Sequence, residues 1–206
     1  MPRSLQTWAT PVYRDLLVDE GGRAQRWSSC GAAVVFRIPR GLAPAVNGAL
    51  GAAAEAWGDA PLQLALRADG EVSAPVHEDG VSSVTFEIPG VHCRRVRSVR
   101  PGDVCLERGM WGVTKLYTRA LSDEAYEIVE ADIVFVLALL EDPIRLYEIA
   151  LHELGHALGL RHPRKLGLSV EATVMNGGVP PGATGVGRLD RAALQRLYAS
   201  CGGAER

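Results

Sequence analysis

The sequence lacks the features of several large classes of protein. It has no long uninterrupted apolar stretch, and its first residues, MPRSLQTWATPVYRD, contain no continuous apolar segment. We therefore expect neither a membrane-spanning helix nor a signal peptide in the given chain. It also lacks a charge excess, because 22 Lys and Arg are balanced by 24 Asp and Glu, for a formal net charge of −2. Such a chain has no overall attraction for nucleic acid or an acidic membrane, and we expect neither as a partner.

Low-complexity linkers are also missing, so nothing in the composition divides the chain. With 206 residues, of which 47% are hydrophobic, the protein is long enough to bury a substantial core. We predict an N-terminal extension over residues 1–30 and a single domain over residues 31–206. We expect the protein to be a monomer.

Cysteine is scarce, and its spacing excludes the common zinc-binding arrangements. The four cysteines occur singly and not as CxxC pairs, so they predict no second set of zinc ligands. Cys93 and Cys105 bracket a segment that contains Pro and Gly, which is compatible with a local disulfide. Cys30 and Cys201 would then join the two ends of the domain. Four reduced thiols, as in a cytosolic protein, are the alternative.

Histidine is equally scarce, but three of the five histidines fall within HELGHALGLRH, at residues 152–162. Asp142 and Pro143 ahead of this stretch form a helix start signal, since Asp can cap a helix and Pro fits its first position. Gly159 can adopt the left-handed conformation that ends a helix. Apolar residues recur between these signals at helical spacing, at Ile144, Tyr147, Leu151, Leu154 and Leu158.

The predicted helix would bring two histidines together. His152 and His156 are four residues apart and share one face, and a turn at Gly159 would let His162 approach them. Three imidazoles that converge on one point, with the carboxylate of Glu153 alongside, describe an open tetrahedral zinc site whose fourth position is left to water. An amphipathic helix with incidental histidines is the alternative. The extended pattern HExxHxxGxxH favours the zinc site, because it fixes more positions, including a glycine with a mechanical reason to be there.

These residues resemble the zinc motif of the metzincin metallopeptidases. Met175, in ATVMNGG, is similar to the methionine that lies in a tight turn beneath the metzincin zinc. The resemblance implies an α+β fold: a mixed twisted sheet of about five strands with a backing helix, an active-site helix, a Met-turn and a C-terminal helix. It also implies that Gly159 and Met175 support the site.

Three further stretches are similar to the matrixin group, the matrix metalloproteinases and their bacterial relatives. They are WGVTKLYT before the site, EADIVFVLA as the strand preceding the active-site helix, and RLDRAALQRLY as the closing helix. Two features depart from that group. Pro163 follows the third histidine, as in the serralysin group, and the link from His162 to Met175 is longer than in a matrixin.

The resemblance implies a zinc-dependent endopeptidase that acts on proteins or peptides. His152, His156 and His162 would hold the zinc, and Glu153 would act first as general base toward a zinc-bound water and then as general acid toward the leaving amine. Substrate would lie extended along an edge strand, and the segment MNGGVPPGATGVG would wall the pocket for the side chain after the cut bond. The alternatives are a catalytically silent zinc-binding interaction domain and a zinc hydrolase or processing peptidase of very narrow specificity.

Further metals and location are also inferred from the resemblance. Vertebrate matrixins carry a structural zinc in a histidine-rich loop, whereas PGDVCLERGMWGV has no histidine and only His77 and His92 lie outside the motif. We therefore expect one catalytic zinc and no structural zinc, and calcium is left open. The resemblance and the even cysteine count suggest a secreted or cell-envelope protein.

The remaining pattern predicts one helix and five strands. The segment at 44–57 has Pro near its start, is rich in Ala and is followed by Gly, which predicts a helix. AVVFRIP at 33–39 is rich in β-branched residues, as is typical of a strand. The other predicted strands are PLQLALRA, SSVTFEI, GVTKLYT and ADIVFVLA, the last nearly apolar throughout, which suits a strand covered on both faces.

Overall fold

The structure is a computed structural model, and it is built around one six-stranded sheet and three α-helices. It describes residues 16–18, 22–28, 33–58, 62–69, 79–90, 106–123, 125–163, 168–169, 171–179 and 181–199. The strands are β1 (Ala24–Arg26), β2 (Ala33–Ile38), β3 (Gln63–Ala68), β4 (Ser83–Glu87), β5 (Gly112–Ser122) and β6 (Ala125–Val136). The helices are α1 (Pro44–Ala56), α2 (Pro143–Ala157) and α3 (Arg188–Leu197), with a 3₁₀ segment at Leu137–Glu141. None of the helices in these ranges is long and apolar enough to span a membrane.

The sheet is mixed, and β6 is its central strand. Along one side β6 pairs in parallel with β4 and, near its start, with β1, and along the other side it forms an antiparallel hairpin with β5. The order continues from β4 to β2 and then β3, all in parallel. From Ile128 to Val136 only one residue of β6 is exposed, as the apolar sequence predicts for a strand covered on both faces.

The helix α2 lies against the sheet and against α1. Its start follows the prediction, since the side chain of Asp142 accepts a hydrogen bond from the backbone N–H of Arg145 at 3.0 Å and Pro143 occupies the first turn. Trp57, just after α1, is 2% exposed and donates its indole N–H to the carbonyl of Leu151 at 3.1 Å. This buried contact fixes α1 as the backing helix of the active-site helix.

The predicted α+β architecture is confirmed, with differences in detail. The sheet has six strands where about five were expected, because the three-residue strand β1 is too short to produce a sequence pattern. The strand predicted to end at Ala138 ends at Val136, where the 3₁₀ segment begins. Ile144, expected on the apolar face of α2, is 79% exposed, since the buried face of the first turns begins at Leu146.

Residues ahead of position 30 contribute to the core of the domain. Leu16 and Leu17 are fully buried in the main hydrophobic cluster, and β1 pairs with β6. The division into an extension at 1–30 and a domain at 31–206 stays a prediction. The described residues on either side of that boundary pack on the same core.

Candidate metal centre and active site

Three histidine side chains converge at the C-terminal end of α2. His152 and His156 project from one face of the helix, and His162 comes from the extended segment that follows it. The Nε2 atoms of the three rings lie 3.0–3.1 Å from one another. Among the described residues, this is the one group of three or more His, Cys, Asp or Glu side chains whose ligand atoms lie close enough to hold a metal ion.

The turn that returns His162 to the helix requires glycine at position 159. Gly159 has a φ of 94°, and a Cβ atom there would lie 2.1 Å from the carbonyl oxygen of Gln25 in β1. The backbone N–H of Arg161 then donates to the carbonyl of Leu16 at 2.9 Å, and its guanidinium donates to Gln25 Oε1 at 3.0 Å. The segment before residue 30 therefore holds the turn that carries the third histidine.

Backbone carbonyls fix the protonation pattern of two imidazoles. His152 Nδ1 lies 2.7 Å from the carbonyl oxygen of Val174, and His156 Nδ1 lies 2.8 Å from that of Leu160. Because a carbonyl oxygen only accepts, each Nδ1 carries the proton, and each Nε2 presents a lone pair. Burial lowers the pKa of His152 to about 4, lowers that of His156 well below its usual range and lowers that of His162, so the rings are neutral at neutral pH.

The three histidines fit a single small cation. Two nitrogens bound to one tetrahedral zinc at about 2.0–2.1 Å lie roughly 3.3 Å apart, close to the separations found here. Lone pairs of neutral rings that face one another at 3.0 Å repel each other, and a shared cation between them converts this repulsion into attraction. Carbonyl acceptors behind Nδ1 are also typical of histidines that bind a metal through Nε2.

Glu153 lies beside the histidines and is buried. The hydroxyl of Thr114 in β5 donates to its Oε2 at 2.7 Å and also lies 3.0 Å from its backbone carbonyl oxygen. Burial raises the pKa of Glu153 to about 7, although the Thr114 hydrogen bond opposes this shift. A carboxyl group with a pKa in this range can both accept and release a proton near neutral pH.

Met175 lies beneath the helix, where Gly155 makes room for it. The Met175 side chain is fully buried, and a Cβ atom at position 155 would lie 2.4 Å from its sulfur and 3.0 Å from Cζ2 of Trp57. Gly159 was predicted from the sequence to have a structural role, whereas Gly155 was not. A glycine inside a helix costs about 1 kcal/mol relative to alanine, and that cost was the available signal of a packing constraint.

Asp190 joins the first turn of α3 to the segment around Met175. Its buried carboxylate accepts hydrogen bonds from the Thr173 hydroxyl at 2.5 Å, from the Val174 N–H at 2.7 Å and from the Gly187 N–H at 3.1 Å. Burial raises its pKa to about 6 while these hydrogen bonds lower it. The carbonyl oxygen of the same residue, Val174, accepts a hydrogen bond from His152 Nδ1, so Asp190 positions that imidazole indirectly. Asp190 was not predicted from the sequence either, although an acidic third residue in the closing helix is a recognised capping signal.

A cleft of about 320 Å³ opens above these groups. Its floor contains the three histidines and Glu153, one side is formed by residues 109–114, and the other by residues 177–179. The predicted site residues are therefore brought together: the three histidines and Glu153 in the cleft, Gly159 at the turn and Met175 below. Their individual roles stay predictions. The cysteines, His77 and His92 lie outside the described residues.

The chain matches a protein family over more than half of its length, and its fold is similar to that of solved structures. Residues 77–199 match the family model described as Matrixin. A chain of the "GM1 bound form of the ECX AB5 holotoxin" has a TM-score of 0.53 and 12% identity, covering 91% of this chain and 90% of that one, and so shares the fold.

Two other solved structures are more distant. A myroilysin structure has a TM-score of 0.43 and 12% identity, covering 84% of this chain and 95% of that one. The hatching enzyme zinc-protease HCE-1 from Oryzias latipes has a TM-score of 0.39 and 12% identity, covering 96% and 99%. No curated protein matches at a significant level.

Proposed function

Because this chain belongs to the matrixin family of metallopeptidases, with a match over residues 77–199, we propose that it is a zinc-dependent endopeptidase. The observation that carries the proposal is the meeting of three neutral imidazoles at 3.0–3.1 Å, with a buried carboxyl group beside them in an open cleft. Its substrates would be proteins or peptides.

His152, His156 and His162 would hold the zinc through their Nε2 atoms. When bound, zinc supplies Lewis acidity, which makes water nucleophilic near neutral pH and polarises a carbonyl group. The carbonyls of Val174 and Leu160 orient two of the rings, so little reorganisation accompanies binding. The fully buried Met175 and the tight contact at Gly155 keep the helix that carries these rings in place.

Glu153 would move the proton in the reaction. It would take a proton from the attacking water and pass it to the nitrogen of the leaving amine, first as general base and then as general acid. Burial of Glu153 supports this double role, because it raises the pKa of the carboxyl group and so favours acceptance of the water proton. The Thr114 hydroxyl would hold the carboxylate in one orientation through its 2.7 Å hydrogen bond.

The edge strand β5 is the element best suited to bind an extended peptide. It pairs with β6 along one side and, among the residues that the structure describes, with no other strand. Residues 112–114 line the cleft beside Glu153, so a peptide added to this edge would pass the candidate metal centre. The segment 177–179 on the opposite side would wall the pocket for the side chain after the cut bond.

The test is cleavage of casein and of a quenched peptide library by the purified protein, with and without a zinc chelator, beside Glu153→Gln. We expect the parent to cleave these substrates and the chelator to abolish cleavage. Glu153→Gln should still bind zinc but cleave several orders of magnitude more slowly, because proton transfer contributes about 10²–10⁴-fold and orientation of the water adds to it. Activity of the variant within tenfold of the parent would contradict the role of Glu153. A zinc-loaded parent that cleaves nothing would favour a zinc-binding interaction domain.

A further inference from the structure

The side of the cleft formed by residues 177–179 has no helix or strand of its own. It belongs to the wall segment, residues 177–179 and 181–184, whose residues are assigned to turns, bends and irregular backbone. The position of the wall segment therefore depends on its contacts with side chains of α2. Three side chains of α2 reach it, and two of them form a partly buried ion pair.

Arg145 and Glu148 make this ion pair. Arg145 Nη1 donates to Glu148 Oε2 at 2.6 Å, and the two side chains are 19% and 7% exposed. Arg145 Nη2 donates to the carbonyl oxygen of Val179 at 2.8 Å, and Glu148 Oε1 accepts from the N–H of Gly182 at 2.5 Å. The pair therefore holds the wall segment at two points of its backbone, and the Tyr147 hydroxyl adds a third at the carbonyl of Thr184.

Arg145 also reaches the opposite side of the cleft. Its guanidinium carbon lies 5.8 Å from the ring centroid of Trp111, within the range of a cation–π contact. Trp111 and Val179 both line the cleft, whereas Arg145 lies behind it. One guanidinium thus interacts with a residue on each side, which ties the position of Val179 to that of Trp111.

The charges of the pair are satisfied by each other and by the backbone. Apart from the histidines, Glu153 is the only residue with an ionisable side chain among the described residues that line the cleft. The side chains that shape the pocket next to the wall, such as Ile149 and Val179, are apolar. A charged substrate side chain would lose its hydration there without gaining a partner.

We propose that Arg145 is a positioning residue that, together with Glu148, sets the width of the cleft between Trp111 and Val179 and so determines which side chain is admitted after the cut bond. This inference rests on the proposed peptidase function. The favoured substrate side chain is apolar and fits the cleft at the width set by the ion pair. Larger side chains are excluded because the ion pair prevents the wall segment from moving away from Trp111. Loss of the ion pair releases the wall and relaxes this selection.

The first measurement is amide hydrogen exchange of the wall segment, which does not depend on activity. Arg145→Met is compared with the parent and with Arg37→Met, which removes an arginine ion-paired with Asp69 at 3.4 Å on strand β2, outside the cleft. We expect amide exchange in residues 177–184 to be at least about tenfold faster in Arg145→Met than in the parent, and unchanged in Arg37→Met. A tenfold change in rate corresponds to the loss of one charge-assisted hydrogen bond. Equal exchange in the parent and Arg145→Met would overturn the proposal.

The second measurement is selectivity, taken as kcat/KM for peptides that differ only in having Val, Leu, Phe or Lys after the cut bond. We expect the ratio of kcat/KM for the Leu peptide to kcat/KM for the Phe peptide to be about tenfold lower in Arg145→Met than in the parent. A change of this size is within the range that pocket contacts produce. Unchanged ratios would overturn the proposal. If the parent cleaves no peptide at all, the proposed peptidase function fails and this role in selectivity fails with it. The exchange measurement still decides whether Arg145 holds the wall.

Two further variants separate the contacts from a folding defect. Arg145→Met leaves Glu148 buried without its cation, so the double variant Arg145→Met with Glu148→Gln removes both charges and keeps an acceptor for Gly182. It should fold and show the same relaxed selectivity. Arg145→Lys keeps the charge but lacks the planar fork, and we expect an intermediate ratio. A double variant with parental selectivity would contradict the role of the ion pair.

Discussion

Gly155 shows how one missing side chain fixes the position of the helix that bears His152 and His156. The space that a Cβ atom would occupy is filled by the sulfur of Met175, 2.4 Å away, and by the Trp57 ring. The methionine turn and the backing helix therefore meet at this glycine. An added methyl group would push the helix away from both, and with it His152 and His156.

We predict that Gly155→Ala destabilises the protein by about 1–3 kcal/mol, the usual cost of overpacking a core, although alanine is the better helix former. Thermal unfolding measures the effect. Gly48→Ala in α1 is the matched control, since a Cβ atom there has no neighbour within 4 Å, and it should be neutral or stabilising by up to about 1 kcal/mol. Equal melting temperatures for Gly155→Ala and the parent would show that the helix has room to move.

At the scale of elements, α3 is connected to the metal centre through the segment around Met175. The helix contributes Asp190, whose carboxylate binds the Val174 N–H, and the Val174 carbonyl in turn orients His152. The interaction thus runs from a helix outside the cleft to His152 through the backbone of one residue, Val174.

We predict that Asp190→Asn lowers zinc affinity about 10–100-fold, the range for groups that orient metal ligands, and destabilises the fold by about 1–3 kcal/mol. The amide has one acceptor oxygen where the carboxylate uses two. Competition with a chromogenic chelator measures the affinity. Asp142→Asn, at the start of α2, is the control that should leave zinc binding unchanged, because its side chain accepts a hydrogen bond from the backbone N–H of Arg145 in the first turn, at the end of the helix remote from His152 and His156. Zinc affinity equal to the parent in Asp190→Asn would rule out this coupling.

At the scale of the whole molecule, metal binding and folding should be linked, because the three ligands come together only in the folded chain. His152 and His156 come from α2, whereas His162 depends on a turn held by Gln25 and by the backbone of Leu16. The unfolded chain does not preorganise such a site, so zinc that binds the folded state stabilises it.

We predict that removal of zinc lowers the melting temperature and that adding zinc back restores it in a concentration-dependent way. Zinc at 100 times its dissociation constant contributes about 2.7 kcal/mol. His156→Ala should bind zinc weakly and melt at the same temperature with and without added zinc. A melting temperature of the parent that does not respond to zinc would contradict the linkage.

Several expectations about the whole molecule stay predictions. The four cysteines lie outside the described residues, so the disulfides Cys93–Cys105 and Cys30–Cys201 are neither supported nor contradicted. The same holds for secretion, for the monomeric state and for the expected absence of a structural zinc. Family membership gives a general zinc metallopeptidase assignment and leaves these properties to experiment.

The sequence by itself determined the elements that depend on neighbouring residues. The start of α2 at Pro143, the left-handed turn at Gly159 and the spacing of His152 and His156 all follow from local backbone rules. The apolar run that forms β6 is likewise visible in the sequence. These features are encoded within a few residues because capping and periodicity act over one or two helical turns.

Only the tertiary structure decided which distant groups complete the site. Thr114 donates a hydrogen bond to Glu153, which lies 39 residues later in the sequence. Trp27 donates a hydrogen bond to the carbonyl of Ala157, which lies 130 residues later. Asp190 reaches the Val174 N–H only because α3 packs back against the segment around Met175. Such contacts leave no periodic trace in the sequence, since they arise when separately formed elements pack together. The helical zinc motif could therefore be predicted from its own residues, whereas the groups that orient it could not.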